Sequence, residues 1–141
     1  MKKDILLYTD KTLNPSKVNF YLNSLFHSGQ EISLTLFGSY SVSDSDPVKV
    51  IYENDKTKEN LKANLLETKE YLSNIDRSYK LNIETMVKMG TSTNILPDLL
   101  EETSFDFLVL KNVDTTVVES VVDKIAGSKN HLPLILFSPK I

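Results

Sequence analysis

Short apolar runs recur along the chain and alternate with longer segments in which apolar residues have helical spacing. Continuous apolar runs are typical of strands that are covered on both faces of a sheet. Residues 81–87 instead alternate between apolar and polar, which indicates a strand nearer the edge of the sheet. The pattern predicts five strands, at residues 5–8, 32–37, 81–87, 105–110 and 134–137.

Four segments between these strands have the spacing of amphipathic helices. They cover the segment from Pro15 to Gly29 and residues 55–75, 94–100 and 118–125. Asn14 is expected to cap the first helix ahead of Pro15, and Gly29 to end it. Gly127 is expected to end the last helix. Pro97 fits the third helix only in its first turn, because an interior proline removes a backbone hydrogen bond.

The connecting segments are assigned from their turn-forming residues. Gly38 is expected to stop the second strand, and residues 39–47, rich in serine and aspartate, to form a loop. Residues 48–52 are compatible with a short extended segment. Residues 111–116 are expected to form the loop after the fourth strand.

This order of elements defines the predicted fold class. Strands that alternate with helices, without a hairpin signal, indicate a parallel sheet with crossover helices on both faces. The prediction is a doubly wound α/β domain with a five-stranded parallel sheet, one domain spanning residues 1–141. In such a sheet a ligand crevice lies outside the carboxyl ends of the strands, where the strand order reverses.

Composition and charge narrow the function classes. The 141 residues contain no cysteine, which excludes disulfides, thiolate metal sites and cysteine nucleophiles. The net charge is -3 and Arg77 is the only arginine, which disfavours nucleic acid as a partner. No apolar run approaches the length of a membrane span. The amino-terminal segment lacks the apolar run of a signal peptide, so we expect a cytoplasmic protein without membrane association.

Several local strings in this order resemble the universal stress protein family, whose members are small five-stranded α/β domains. The first predicted strand ends in Thr9 and Asp10, similar to the Val-Asp or Thr-Asp pair of the family. Gly90 stands ahead of a helix that contains Ile-Leu, as at the end of the family's third strand. Residues 119–123 and 133–135 resemble the start of the family's last helix and last strand. The resemblance covers nearly the whole chain and implies the same fold.

The chain departs from the family in the segment that holds nucleotide phosphates. Nucleotide-binding members carry Gly-x2-Gly-x9-Gly-Ser/Thr there, and the glycines let backbone N–H groups face the phosphates. Residues 111–116 contain no glycine. Glu119 stands where the family has its third glycine, and an unpaired carboxylate there would repel a phosphate by about 1–4 kcal/mol. Thr116 and Glu119 instead have the spacing of a helix capping box.

The resemblance and this departure together predict a non-enzymatic stress-response or signalling protein that does not bind ATP in the usual way, with no catalytic residue, no cofactor and no metal site. The alternative is an adenine-nucleotide-binding domain that uses a rearranged loop at residues 111–120 to bind ATP or AMP with Mg²⁺, with weak ATP hydrolysis. Another small ligand in the same crevice is a third possibility. If a nucleotide binds, the resemblance assigns it to Asp10, Gly90, Lys111 and Ser120. Asp10 would otherwise cap the following loop.

The last predicted strand indicates how the chain could associate with a second copy of itself. It is apolar at each of its positions, Leu134, Ile135, Leu136 and Phe137. An apolar strand at an open sheet edge is a pairing hazard. Members of the family that the chain resembles commonly dimerise by pairing their last strands, so we expect a homodimer through these four residues. The alternative is that this strand lies inside the sheet, with a loop or helix over its edge. Binding to another, unknown protein is left open.

Overall fold

The predicted order of strands and helices is found in the computed structural model, which describes residues 2–9, 12–40, 47–90, 92–127 and 133–139. The elements are β1 (Lys2–Thr9), α1 (Pro15–Leu25), β2 (Glu31–Tyr40), α2 (Pro47–Ser73), β3 (Lys80–Met89), α3 (Ser92–Glu102), β4 (Phe107–Val113), α4 (Thr115–Ala126) and β5 (Leu134–Pro139). No helix in the described part of the chain has the length and apolar character to cross a membrane.

The five strands form one sheet in the order β3-β2-β1-β4-β5. Each neighbouring pair is parallel, because a helix separates each strand from the next along the chain. The predicted α/β class with a parallel sheet is therefore confirmed. β3 lies at one edge, as its alternating pattern predicts, and β5 lies at the other.

Both faces of the sheet are covered by helices, which explains the continuous apolar runs. On one face, Ile5 and Leu7 of β1 belong to the core beneath α1 and α2, which contribute residues such as Leu22 and Leu65. On the other face, Leu6 and Tyr8 belong to a core with residues of α3 and α4. Because successive side chains of a strand point to opposite faces, one apolar run serves two cores.

The predicted end of the second strand is wrong. β2 continues through Gly38 and Ser39 to Tyr40, so the predicted loop at residues 39–47 begins too early, and residues 41–46 lie outside the described residues. Gly38 is needed for close packing, since a Cβ atom there would lie 2.8 Å from Cδ2 of Leu61 in α2.

The start of α2 also differs from the prediction. The helix begins at Pro47, eight residues before the predicted position, so residues 48–52 are helical and not extended. Proline is favoured at the first helical position, which makes Pro47 a start signal. The β-branched residues that follow have only a weak preference against helix, which the long helix overrides.

Of three predicted helix boundaries, two are confirmed and one is wrong, and the predicted position of Pro97 is also wrong. The Asn14 cap is confirmed, since its side chain accepts hydrogen bonds from the backbone N–H groups of Ser16 and Lys17. α1 ends at Leu25, and Gly29 lies beyond it in a turn with φ +84°. The predicted end of α4 is confirmed at Gly127. Pro97 lies inside α3 and not in its first turn.

Candidate functional site

The crevice expected at the carboxyl ends of the strands lies between β1 and β4. The chain leaves β1 toward β2 on one side and leaves β4 toward β5 on the other. This reversal is the position at which ligands bind in open parallel sheets. Thr9 at the end of β1 is fully buried and lies opposite Lys111 of β4 in the sheet register. Asp10, the first predicted site residue, lies outside the described residues.

Lys111 is not a loop residue as predicted, because β4 continues to Val113. Its register with β5 shifts between Leu110 and Val113, which places a bulge beside Lys111. The Lys111 ammonium donates a hydrogen bond of 2.7 Å to the hydroxyl of Tyr21 in α1. It also lies 4.5 Å from the centre of the Tyr21 ring, within cation–π distance. Lys111 is therefore held against α1.

The segment between β4 and α4 is a single residue, Asp114. It has an extended backbone and serves as the N-cap of α4, but its side chain makes no capping hydrogen bond. The capping box predicted for Thr116 is wrong, because Thr116 is the second residue of the helix and Glu119 lies one turn further on. The strand therefore passes directly into the helix, with no glycine-rich loop between them.

Ser120 lies inside α4, where its hydroxyl donates a hydrogen bond of 2.9 Å to the carbonyl oxygen of Val117. This bond is an ordinary helical one for serine. The side chain is partly buried. Ser120 and Lys111 do not contact each other in the described structure.

Gly90 has a packing role at the end of β3. Its φ of +142° is a conformation that favours glycine, and a Cβ atom there would lie 2.5 Å from Cγ1 of Ile95 in α3. Its N–H donates to the carbonyl oxygen of Tyr40 at 2.9 Å. Gly90 thus lets α3 pack closely onto the ends of two neighbouring strands.

A buried polar pair near the ends of β1 and β2 was not predicted. The hydroxyl groups of Tyr8 and Ser39 lie 2.6 Å apart, and both side chains are buried. The Tyr8 ring packs on Phe37, with ring centres 5.6 Å apart. The sequence signal for this pair was obscured because Ser39 was assigned to a loop.

The polar groups described at the carboxyl ends of the strands are few, and most of them are already hydrogen-bonded within the fold. The described residues contain no group of three side chains able to ligate a metal. The hydroxyls of Tyr8 and Ser120 already have partners within the fold, and the ammonium of Lys111 is held by Tyr21. The described part of the crevice therefore resembles a packed sheet end more than a phosphate cradle.

The class that the fold defines is a parallel α/β sandwich with its crevice at the β1–β4 reversal. No model of a known protein family matches the chain, and no curated protein matches it either. Solved structures do match over nearly the whole length. The hypothetical protein MJ0577 is 18% identical with a TM-score of 0.60 and 96% of each chain covered.

Two further solved structures match over a similar length. A universal stress protein in complex with cAMP is 16% identical with a TM-score of 0.56, covering 97% of this chain and 96% of its own. The hypothetical protein PH0823 is 13% identical with a TM-score of 0.55, covering 98% and 96%. The chain therefore has the universal stress protein fold that the resemblance predicts. At these identities the similarity shows the fold alone.

Proposed function

We propose that this chain is a universal-stress-protein-like protein that acts as a homodimer in a stress response or in signalling, without the usual ATP site and without enzymatic activity. The observation that carries this proposal is the single residue between β4 and α4, Asp114. A phosphate cradle needs several consecutive backbone N–H groups that face the ligand. A one-residue connection has no room for such a loop.

The charge at the start of α4 supports the same proposal. A helix N-terminus attracts anions because its first N–H groups are unpaired. Here the carboxylate of Asp114 lies at that terminus, and the N–H of Val117 already donates to the Asp114 carbonyl oxygen at 3.0 Å. A bound phosphate would have to compete with this carboxylate, so the residues of this segment do not fit the phosphates of ATP.

The dimer part of the proposal rests on the edge position of β5. Parallel sheets leave the outer backbone groups of an edge strand unpaired, and an antiparallel partner strand satisfies them. A groove of about 240 Å³ adjoins this edge and is lined almost entirely by apolar atoms. It is formed by Val122, Ile125, Ala126, Pro133 and Ile135. Val122 is 45% exposed and adds apolar surface to this groove.

Sedimentation velocity tests the dimer with two lysine variants. Ile135→Lys places a charge on β5, and Val122→Lys places one on the adjoining helix without opening the core. Both are expected to sediment as monomers, while wild type sediments as a dimer. Leu66→Lys, at another exposed apolar position on α2, is the matched control and should remain dimeric. An unchanged sedimentation coefficient for both test variants would show that the partner surface lies elsewhere.

A second candidate function is adenine-nucleotide binding through a rearranged segment at residues 111–120, with Mg²⁺ and weak hydrolysis. It is favoured by one observation, that a universal stress protein of similar fold has been solved in complex with cAMP. Calorimetric titration with cAMP tests it on wild type, Lys111→Ala and Ser120→Ala. Saturable binding that both substitutions weaken would support this candidate, whereas binding that neither changes would place the nucleotide away from this segment.

A further inference from the structure

A polar area of the sheet lies far from the crevice, near the amino ends of the strands. Asp4, Ser33 and Asn82 are direct neighbours across β1, β2 and β3 in the sheet register. Thr35 and Glu84 are neighbours two residues further along β2 and β3. These residues share the face of the sheet that α3 and α4 cover, because they lie an even number of residues from Tyr8, Phe37 and Met86 of the core on that side.

These polar residues line a cavity of about 370 Å³. Its apolar wall is formed by Met86, Leu99 and Phe105, and its remaining lining by Lys2, Leu34, Thr103 and Ser104. A cavity of this volume suits a small organic molecule. The name polar groove is used below for this cavity and its lining residues.

The lining of the polar groove accepts more hydrogen bonds than it donates. Asp4 and Glu84 contribute carboxylates, which only accept when ionised, and the hydroxyls of Ser33 and Thr35 can do either. Lys2 is the only cationic side chain among the lining residues. Among the described residues, the ion pairs are Lys80–Glu31 and Lys124–Glu101, so neither Asp4 nor Glu84 is in an ion pair there.

The end of α3 adds to the negative potential. Leu99 and Thr103 at this end line the groove. The last turn of α3 contains Glu101 and Glu102 and no basic residue. A helix C-terminus carries a partial negative charge and is usually accompanied by lysine or arginine. Glu101 is paired with Lys124, so the partial negative charge of the helix end and the carboxylate of Glu102 are what favour a cation here.

We propose that the polar groove binds a small linear polyamine, with its ammonium groups on Asp4 and Glu84 and its methylene chain along Met86 and Leu99. Asp4 and Glu84 lie two strands apart and are offset by two residues along the strands, so their Cα atoms are about 12 Å apart by sheet geometry. One metal ion cannot bridge that spacing, and the described residues hold no metal-binding group of three. An elongated cation with two charged ends and an apolar middle matches it.

This proposal does not depend on the proposed function. The polar groove lies at the amino end of the strands, whereas the nucleotide question concerns the carboxyl end. The dimer surface at β5 is at the opposite edge of the sheet from β3. A negative result for the polar groove would therefore not contradict the proposed dimer or the proposed absence of the ATP site, and the reverse also holds.

Calorimetric titration of the purified full chain with spermidine tests the proposal. Wild type is expected to bind one equivalent at submillimolar concentration. Glu84→Gln is expected to weaken binding about tenfold, as the loss of a charge-assisted hydrogen bond implies. Thr35→Val, which changes no charge, is expected to weaken it about threefold through the loss of one neutral hydrogen bond. Glu59→Gln on α2, with the same change in net charge, is expected to bind like wild type.

Two results would overturn the proposal. One is the absence of saturable heat at millimolar spermidine. The other is an equal loss of affinity in Glu84→Gln and Glu59→Gln with no effect of Thr35→Val, because that pattern reports a general attraction to an acidic protein. Urea unfolding of each variant without ligand confirms that it is folded before the titrations are compared.

Discussion

Replacing Gly38 with alanine is expected to destabilise the wild-type protein but to stabilise a variant in which Leu61 has been shortened. A Cβ atom at Gly38 would lie 2.8 Å, 2.9 Å and 3.0 Å from three carbon atoms of the Leu61 side chain. Leu61 is buried in the contact between α2 and the sheet. The added methyl group therefore has no space unless the helix or the leucine moves.

The magnitudes follow from two opposing effects. Overpacking a buried contact costs about 1–3 kcal/mol, while replacing glycine by alanine within a strand contributes about 0.5–1 kcal/mol in favour of folding. Gly38→Ala should thus lower the free energy of unfolding by up to about 2.5 kcal/mol, and by about 1 kcal/mol at the middle of both ranges. Leu61→Ala alone should lower it by about 2–5 kcal/mol. In the Leu61→Ala background the clash is gone, so Gly38→Ala should raise the free energy of unfolding by about 0.5–1 kcal/mol.

Urea unfolding followed by far-ultraviolet circular dichroism measures these differences, since the chain has no tryptophan to report by fluorescence. Gly127→Ala is the matched control, because its φ is −83° and the nearest atom to an added Cβ is 3.7 Å away. It should raise the free energy of unfolding by about 0.4–1 kcal/mol, because alanine fits there without strain and restricts the unfolded chain. A Gly38→Ala effect of the same sign and size in both Leu61 backgrounds would refute the packing explanation.

Three further substitutions test other parts of the fold. Lys111→Met and Tyr21→Phe should each lower the free energy of unfolding by about 1 kcal/mol, through the lost hydrogen bond and the weakened ring contact; a double-mutant cycle without coupling would contradict that contact. Pro97→Ala should raise the free energy of unfolding by about 1–3 kcal/mol, because alanine restores the interior N–H of α3 that proline lacks. A lower thermal midpoint for Pro97→Ala would show that the helix is shaped around the proline ring.

Much of the fold was predictable because the local signals of most elements agreed with the final topology. The apolar runs have the length and continuity of buried parallel strands, and the alternating run at 81–87 correctly placed β3 at the edge. Asn14 and Gly127 fixed one helix start and one helix end. These signals depend only on residues within one turn or one strand, which sequence spacing reports directly.

The errors concern positions where a distant residue decides the outcome. Gly38 was interpreted as a strand end, but its role depends on Leu61 of another element. Lys111 was assigned to a loop because lysine follows an apolar run, whereas pairing with Thr9 of β1 extends the strand. Tyr21, which holds Lys111, is 90 residues away along the chain. No local pattern indicates such partners.

The position of the candidate site was predictable only in part. The sequence predicts a crevice outside the carboxyl ends of the strands, but the spatial strand order, which puts the reversal between β1 and β4, is known only from the structure. The missing glycines were also visible in the sequence. The reduction of the connection to Asp114 was not, because it results from the extension of β4 at one end and the early start of α4 at the other.

Titration of the purified protein with ATP and Mg²⁺ by calorimetry, after gel filtration to remove carried-over ligand, tests the central claim most directly. A one-residue connection between β4 and α4 predicts no heat of binding up to millimolar nucleotide. Saturable binding at micromolar ATP would contradict the account, since it would require a phosphate site that the Asp114 connection cannot form.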